Sequence, residues 1–362
     1  MSSATPVRQG GSLCYAGAII IMVLLSCTQA AFGAAIIGQT KVVSDIPYHA
    51  VAVDQLKADY RRPLDIPFPK QNTYTLKKAL LGQQLFFDRR LSKSSAQSCA
   101  SCHDPGFAWG DGLPVGVGYG MQKLTRRSPS IINSAWRAAY LWDGGAASLE
   151  EQTKGPIQSP TEMNMPIGEL LERLGSVSEY GLLFDAAFPN KGLSSDTLAE
   201  ALATYERTIV SQEAPFDVWI DGDENAISES AKRGFALFNT KGHCSSCHEG
   251  WNFTNDGFHD IGLPGADPGR GRFLPRVTKM NHAFKTPGLR EIARRGPYMH
   301  DGSLATLEEV IEHYDRGGIE RASLSDLIVP LRLSEDEKLD LIAFLKCLSS
   351  ELMLTTVPTF PR

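Results

Sequence analysis

The chain has few cysteines and no long apolar or basic runs. Its 362 residues include seven cysteines, most of them in an N-terminal segment and two short motifs, so Cys347 is left alone and a disulfide framework is excluded. A formal net charge of −5 without a basic run argues against nucleic acid as a partner. The longest apolar run, residues 16–25, is too short to cross a membrane.

Residues 1–34 are typical of a secretory signal peptide. Arg8 is the only charged residue before the apolar run, and small residues follow that run, with candidate cleavage positions after Ala30 and Ala34. We therefore expect the mature protein in the periplasm. A second interpretation is a lipoprotein signal, in which Cys27 would carry a lipid anchor.

Two copies of a Cys-x-x-Cys-His motif occur, at residues 99–103 and 244–248. In this motif two thiols bind the vinyl groups of a haem and the adjacent imidazole binds its iron. A zinc half-site or a redox dithiol also uses paired cysteines, but neither explains the histidine after both pairs. The sequence predicts two covalently bound c-type haems, held by Cys99, Cys102 and His103 and by Cys244, Cys247 and His248.

A weak internal repeat supports two haem modules. Residues 82–86 precede the first motif and residues 234–238 precede the second, each at the end of a predicted helix. Because strand signals are sparse, we predict a mainly α fold with two cytochrome c-like haem domains. The predicted boundaries are residues 35–215 for the N-terminal domain and 216–362 for the C-terminal domain.

The predicted boundary follows a helix with a clear apolar pattern. Residues 197–213 show helical spacing, and Ser195 or Asp196 is available as the cap. Pro215 is expected to stop this helix.

Two further helices are predicted near the C-terminus. Thr306 and Glu309 form a capping-box pattern at the start of the first, and Ser334 and Glu337 form another at the start of the second. The first of these helices carries an apolar face on which we expect four residues to point inward: Leu307, Val310, Ile311 and Tyr314.

Histidine is absent from residues 104–242, and this absence distinguishes the two predicted haems. A haem that only passes electrons usually has both axial positions filled, whereas one that activates peroxide keeps a position open. No histidine of this stretch can fill the second position of the His103 haem, so we expect it to be open. The remaining candidate ligands are Tyr119, Met121, Met163 and Met165.

From about Leu80 to Leu348 the sequence resembles the bacterial di-haem cytochrome c peroxidase and MauG family. The resemblance depends on five ordered blocks, LGQQLFFD, SPS, LWDG, LEEQ and GPYMHDG, which begin at residues 81, 128, 141, 149 and 296. It implies that the N-terminal haem reacts with hydrogen peroxide and that the C-terminal haem stores or relays an oxidising equivalent.

The resemblance also implies roles for individual residues. Trp142 matches the tryptophan that lies between the two haems. Glu162 falls where the family has its distal carboxylate, and Gln152 and Pro156 match other distal-pocket positions of the MauG branch. A carboxylate there can take a proton from bound peroxide and return it to the leaving oxygen.

The second haem gives the sharper distinction within the family. The peroxidases place a methionine fourteen residues after the His of the His-Asp-Gly block, and that distance from His300 reaches Tyr314. MauG has a tyrosine in this role, so Tyr314 is the predicted ligand. The alternatives left open are His313, Met280, Met299 and His300. His259 resembles a family loop residue near this haem and is a candidate contact for a propionate.

Two departures from the family concern calcium and the distal loop. Relatives often bind calcium between the haems through an Asn side chain and carbonyls, but Arg127 and Arg295 occupy two of these positions, and a guanidinium can replace the charge of the ion while excluding it. Calcium is therefore doubtful. The distal His of peroxidases that require reduction has no counterpart, and Tyr119 lies near its place.

The primary hypothesis is an exported di-haem peroxidase of the MauG-like branch that reacts with hydrogen peroxide. Its external reductant is expected to be a small c-type cytochrome, a copper protein, or a residue of a partner protein during cofactor maturation. The contrasting hypotheses are a non-catalytic electron carrier with two six-coordinate haems and a small-ligand sensor.

Overall fold

The computed structural model describes residues 53–351 and 355–362. The predicted signal peptide and Cys27 lie outside these residues. Within them, no helix combines the length and the apolar character that crossing a bilayer requires.

The fold is mainly α, as predicted. Two short strands, β1 (Phe258–His259) and β2 (Phe284–Lys285), pair antiparallel, with Phe258 opposite Lys285. The helices of the described residues are α1 (Val53–Asp59), α2 (Leu76–Phe87), α3 (Leu149–Gln152), α4 (Lys154–Gln158), α5 (Ile167–Gly175), α6 (Ser178–Ala187), α7 (Ser195–Arg207), α8 (Pro215–Ile220), α9 (Glu229–Asn239), α10 (Leu307–Arg316) and α11 (Glu335–Lys346).

The internal repeat has a structural meaning, because each copy contains a glycine at a close helix crossing. A Cβ added to Gly82 of α2 would lie 2.0 Å from the carbonyl oxygen of Ala201 in α7. A Cβ added to Gly234 of α9 would lie 2.0 Å from the carbonyl oxygen of Asp340 in α11. In each half, the helix that precedes the Cys motif therefore packs closely against a helix that follows the motif.

Two hydrophobic cores result from these crossings. The first is built by α2, α5, α6 and α7, and includes Phe86 and Tyr205. The second is built by α8, α9, α10 and α11, and includes Phe235 and Phe344. Tyr60, which follows α1, packs into the second core although it precedes the first in sequence.

The chain also crosses between the two halves at its C-terminal end. Arg90, just after α2, donates a hydrogen bond of 3.0 Å from Nη2 to the carbonyl oxygen of Pro361. The backbone N–H of Arg362 donates to Glu179 of α6 over 2.9 Å. The predicted boundary between residues 215 and 216 falls at the start of α8 and stays a prediction.

The predicted helix over residues 197–213 is wrong at both ends. Its cap is Ser194, whose hydroxyl accepts from the N–H of Thr197 over 3.2 Å, and not Ser195 or Asp196. The helix ends at Arg207 because residues after it pair with a distant loop: Ile209 O accepts from the N–H of Asn133, and Ser211 N donates to its side chain, both over 2.9 Å.

The two C-terminal helices begin where predicted. The Thr306 hydroxyl accepts from the N–H of Glu309 at the start of α10, and Ser334 does the same for Glu337 at the start of α11. Gly317, with φ of 83°, ends α10 in the left-handed conformation that favours glycine. Tyr314 is thereby held in the last turn of α10.

Candidate active site

Each Cys-x-x-Cys-His motif follows the close-crossing helix of its half and starts in a single 3₁₀ turn, Cys99–Ser101 or Cys244–Ser246. The four motif cysteines are unpaired thiols. Cys99, Cys102 and His103 line a cavity of about 890 Å³, which we name the first cavity. Cys244, Cys247 and His248 line another of about 170 Å³, the second cavity.

The two motif histidines have the same tautomer, which their backbone contacts determine. Nδ1 of His103 lies 3.2 Å from the carbonyl oxygen of Trp109, and Nδ1 of His248 lies 2.9 Å from that of Phe253. A carbonyl only accepts hydrogen bonds, so Nδ1 must donate and Nε2 keeps its lone pair. Burial lowers the pKa of both imidazoles, that of His248 to about 4, which keeps Nε2 available as a ligand.

The residues of both cavities fit haem c. Each cavity presents two thiols and one neutral imidazole, the donor set that c-type attachment requires. Unpartnered buried nitrogens also line them: Nε2 of His259 in the second cavity and Nε of Arg127 and Arg295 in both. Such donors fit the carboxylate groups of a haem.

The three predicted distal residues lie together in the first cavity. Gln152 ends α3, Pro156 lies in α4, and Glu162 follows on the turn after α4, where its N–H donates to Ser159 O over 3.1 Å. Burial raises the pKa of the Glu162 carboxyl, and a hydrogen bond with the Ser159 side chain opposes that rise. Glu162 is therefore a stronger base than an exposed carboxylate.

The other candidate ligands for the first haem differ in whether they line the first cavity. Met121 is 80% exposed, and Met165 is buried in the first core. Neither they nor Tyr119 line the first cavity, whereas Met163 does. Met163 thus stays the one candidate of these four that could compete for an axial position there.

Trp142 lines both cavities, as expected for a residue between two haems. Its indole Nε1–H donates to Arg127 O over 2.8 Å, and its own carbonyl accepts from Lys285 N over 2.8 Å. The next residue, Asp143, is buried and accepts from Arg126 and Arg272 over 2.6 and 3.0 Å. One hydrogen bond therefore holds the indole ring, and the backbone hydrogen bond and the Asp143 ion pairs hold the loop that carries it.

Tyr314 lines the second cavity together with the three other residues of the predicted α10 face, Leu307, Val310 and Ile311. Burial raises the pKa of its phenol. Among the alternatives, Met280 and His313 do not line this cavity. Nε2 of His313 lies 2.9 Å from Ile261 O.

Two alternatives to Tyr314 do line the second cavity. Met299 is one, and His300 is the other. The His300 ring stacks on Phe284 with centroids 3.6 Å apart and an interplanar angle of 15°. It also meets the edge of Trp142 at 6.5 Å, so His300 forms part of the wall next to the inter-cavity tryptophan.

Comparison with known proteins agrees with this arrangement. A family profile described as Di-haem cytochrome c peroxidase matches residues 76–225, and one described as Cytochrome c matches residues 231–349. Methylamine utilization protein MauG of Methylorubrum extorquens is 52% identical over 309 residues, which cover 84% of this chain and 88% of that protein. The chain belongs to the di-haem cytochrome c peroxidase family.

Two further similarities support this membership. MauG of Methylophilus methylotrophus is 48% identical over 84% of this chain and 91% of that protein. A crystal structure of a MauG-like protein associated with microbial copper homeostasis matches with a TM-score of 0.74 and 32% identity, over 80% of this chain and 95% of that one. The resemblance to the MauG branch is confirmed, and the protein is a di-haem peroxidase-like oxidoreductase.

Sequence reasoning missed two buried ionisable groups of this peroxidase-like site. Glu206 of α7 lines the first cavity, where burial raises the pKa of its carboxyl to about 8 and its Oε2 has no partner in the described structure. Lys285 of β2 lines both cavities, and burial next to Arg137 lowers its pKa to about 7. Glu206 lies four residues after Leu202 on the buried side of α7, which was an available signal.

Proposed function

We propose that this chain is an exported peroxidase with two covalently bound haems, one at each Cys motif. Hydrogen peroxide reacts at the His103 site, and oxidising equivalents are shared with the His248 site before an external donor is oxidised. One asymmetry carries the proposal: Glu162 lines only the first cavity, Tyr314 lines only the second, and Trp142 lines both.

Glu162 is the acid–base group of the peroxide step. It takes the proton from the oxygen of hydrogen peroxide that binds in the first cavity and returns it to the other oxygen, which leaves as water. A haem held by Cys99, Cys102 and His103 would supply the iron at which the O–O bond is cleaved. The remaining oxygen of the peroxide would be released as a second water after two electrons and two further protons have arrived. One molecule of peroxide therefore consumes two donor electrons.

Gln152 and Pro156 line the first cavity together with Glu162. Gln152 is half-buried and its side chain offers both an amide donor and an amide acceptor, whereas Pro156 has no polar side-chain atom. Gln152 therefore orients peroxide, and Pro156 limits access of water to the carboxylate.

Trp142 connects the two sites and Tyr314 closes the second. The Trp142 indole offers an oxidisable π-system that faces both cavities. The Tyr314 side chain lines the same cavity as His248, and its oxygen is the donor that would hold the second iron. An anionic oxygen donor favours higher oxidation states of iron over a thioether donor.

The test is to add one equivalent of hydrogen peroxide to the diferric protein and to record optical and EPR spectra. We expect both haem signatures to change in the wild type, and the change to persist until donor is added. An electron carrier with two closed irons would show no reaction, and a sensor would bind a small ligand at one haem without turnover.

The donor is proposed to be a small c-type cytochrome or a copper protein, and two donor molecules that each lose one electron would return the peroxide-oxidised protein to its diferric state. The alternative is a residue of a partner protein that is oxidised during cofactor maturation, which the similarity to methylamine utilization proteins favours. Mixing the peroxide-treated protein with a reduced c-type cytochrome separates them, because rapid return to the diferric spectrum supports the first donor class.

Export to the periplasm rests on residues 1–34. Mass spectrometry of the mature protein tests it: an N-terminus after residue 30 or 34 supports a cleaved signal, and a lipidated Cys27 at the N-terminus supports the anchored form.

A further inference from the structure

Two buried arginines lie at the junction of the cavities. Arg127 and Arg295 are 5% and 7% exposed, and each lines both the first and the second cavity. Their terminal nitrogens contact backbone carbonyls: Arg127 Nη2 donates to Gly296 O over 3.4 Å, and Arg295 Nη1 donates to Gly288 O over 2.6 Å and to Arg290 O over 3.1 Å. The Nε atom of each has no partner in the described structure.

Neither guanidinium has a carboxylate partner among the described residues. Neighbouring cations differ in this respect, since Arg126 pairs with Asp143 and Asp267, and Arg137 pairs with Asp256. Asp111 acts on Arg127 through space, but its carboxylate accepts hydrogen bonds from the Ser128 hydroxyl at 2.7 Å and from the Leu113 N–H at 3.0 Å.

The pair is electrostatically unbalanced as it stands. Burial lowers the pKa of both arginines, and burial together with the charges of Arg127 and Arg137 lowers that of Arg295 to about 9. A buried charge without a counter-ion is costly, so a junction built around two of them must receive an anion. The unpartnered Nε atoms lie on walls that both cavities share, and such an anion would bind there.

We propose that Arg127 and Arg295 together bind haem carboxylates from both cavities and take the place of a divalent cation at the junction. Two guanidiniums carry the charge of one such cation, and each forms fork-shaped contacts that match a carboxylate. The inference rests on the proposed haems at both Cys motifs.

The first test uses the wild-type holoprotein. Metal analysis of the purified protein is expected to find no calcium, and neither a chelator nor added calcium is expected to change the haem spectra or the Tm. One calcium per chain whose removal alters the spectra would overturn the inference.

The second test measures the reduction potentials of both haems in R127Q and R127K. R127Q is expected to lower both potentials, with at least a tenfold change in each one-electron equilibrium constant, or about 59 mV. R127K keeps the positive charge, so its two reduction potentials are expected to differ from those of the wild type by less than half of that shift. R276Q, at an exposed arginine, is the charge control and is expected to leave both potentials unchanged.

Haem content keeps the outcomes distinct. Loss of a haem in the wild type would count against the proposed function, whereas two haems per chain with an R127Q shift no larger than that of R276Q would overturn the role of the arginine pair alone. If R127Q does not fold, R295Q is measured in the same way, and the calcium test on the wild type still decides whether a cation is required.

Discussion

The indole Nε1–H of Trp142 donates a 2.8 Å hydrogen bond to the backbone carbonyl of Arg127. This bond joins the tryptophan that lines both cavities to Arg127, which lines both as well and carries one of the two charges that lack a carboxylate partner. The backbone of Arg127 therefore helps to orient Trp142, and its side chain contributes charge to the junction. Because the two roles belong to different atoms, substitutions of Trp142 and of Arg127 are expected to have separable effects.

Replacing Trp142 by Phe is expected to slow oxidation of the second haem. Phe keeps most of the apolar contact but loses the N–H and is harder to oxidise. In stopped-flow spectra, W142F should react with peroxide at the first haem at the wild-type rate, and the second haem should respond more slowly. W136F is the control, since Trp136 packs on Trp251 at 4.8 Å and lines neither cavity. Equal second-haem rates in W142F and W136F would contradict the relay.

Replacing Glu162 by Gln is expected to lower the rate constant for reaction with peroxide by a factor of about 10²–10⁴, which is the usual contribution of a positioned acid–base group. Glu213 is exposed and supplies the matched control, E213Q, which should leave the rate unchanged. A residual rate within about threefold of the wild type, less than any acid–base role supplies, would remove Glu162 from the peroxide step.

The same residue predicts a pH dependence. Burial raises the pKa of Glu162, so the carboxylate needed as base is lost at a higher pH than for an exposed Glu, whose pKa is about 4.3. The wild-type rate should therefore fall as the pH drops through that raised pKa, and E162Q should lack this limb. A wild-type profile that stays flat down to pH 4.3 would show that Glu162 does not act as the base.

The first-cavity methionine offers a further check. Met163 is replaced by Leu, which has similar volume and costs less than about 1.5 kcal/mol in a core position. If the first iron has no side-chain ligand opposite His103, M163L leaves its spectrum and its peroxide rate unchanged. Conversion from a low-spin to a high-spin spectrum in M163L, but not in the M165L control, would identify Met163 as a ligand.

Stability should respond to the close helix crossings. G82A places a methyl group 2.0 Å from Ala201 O, so α2 and α7 must separate, and overpacking of this kind costs about 1–3 kcal/mol or more in the free energy of unfolding. Gly181 of α6 has open space at its Cβ position, and G181A should be neutral or stabilising by about 0.5–1 kcal/mol. Equal unfolding midpoints for the two variants would show that the crossing is not close.

The parts of the molecule that were predictable from the sequence depend on local spacing. The Cys-x-x-Cys-His motifs, the caps at Thr306 and Ser334 and the inward face that includes Tyr314 are each set by residues within one or two turns. The glycine of the repeat was visible in sequence, but its contact with Ala201 depends on a helix more than a hundred residues away.

The remaining features depend on distant segments. The helix over 197–213 was predicted too long because the Asn133 loop, not the local pattern, ends it after Arg207. Glu206 and Lys285 line cavities that are built by segments far apart in the sequence, so local spacing does not predict their burial. The domain boundary and the roles of Glu162, Trp142 and Tyr314 stay predictions.

The most direct measurement is the low-temperature EPR spectrum of the resting diferric protein, for the wild type, Y314F and the neighbouring control H313Q. An open first iron and a tyrosine-closed second iron predict equal amounts of a high-spin and a low-spin signal in the wild type and in H313Q. They also predict that Y314F alters the low-spin signal alone. Two low-spin signals in the wild type, or an unchanged low-spin signal in Y314F, would contradict them.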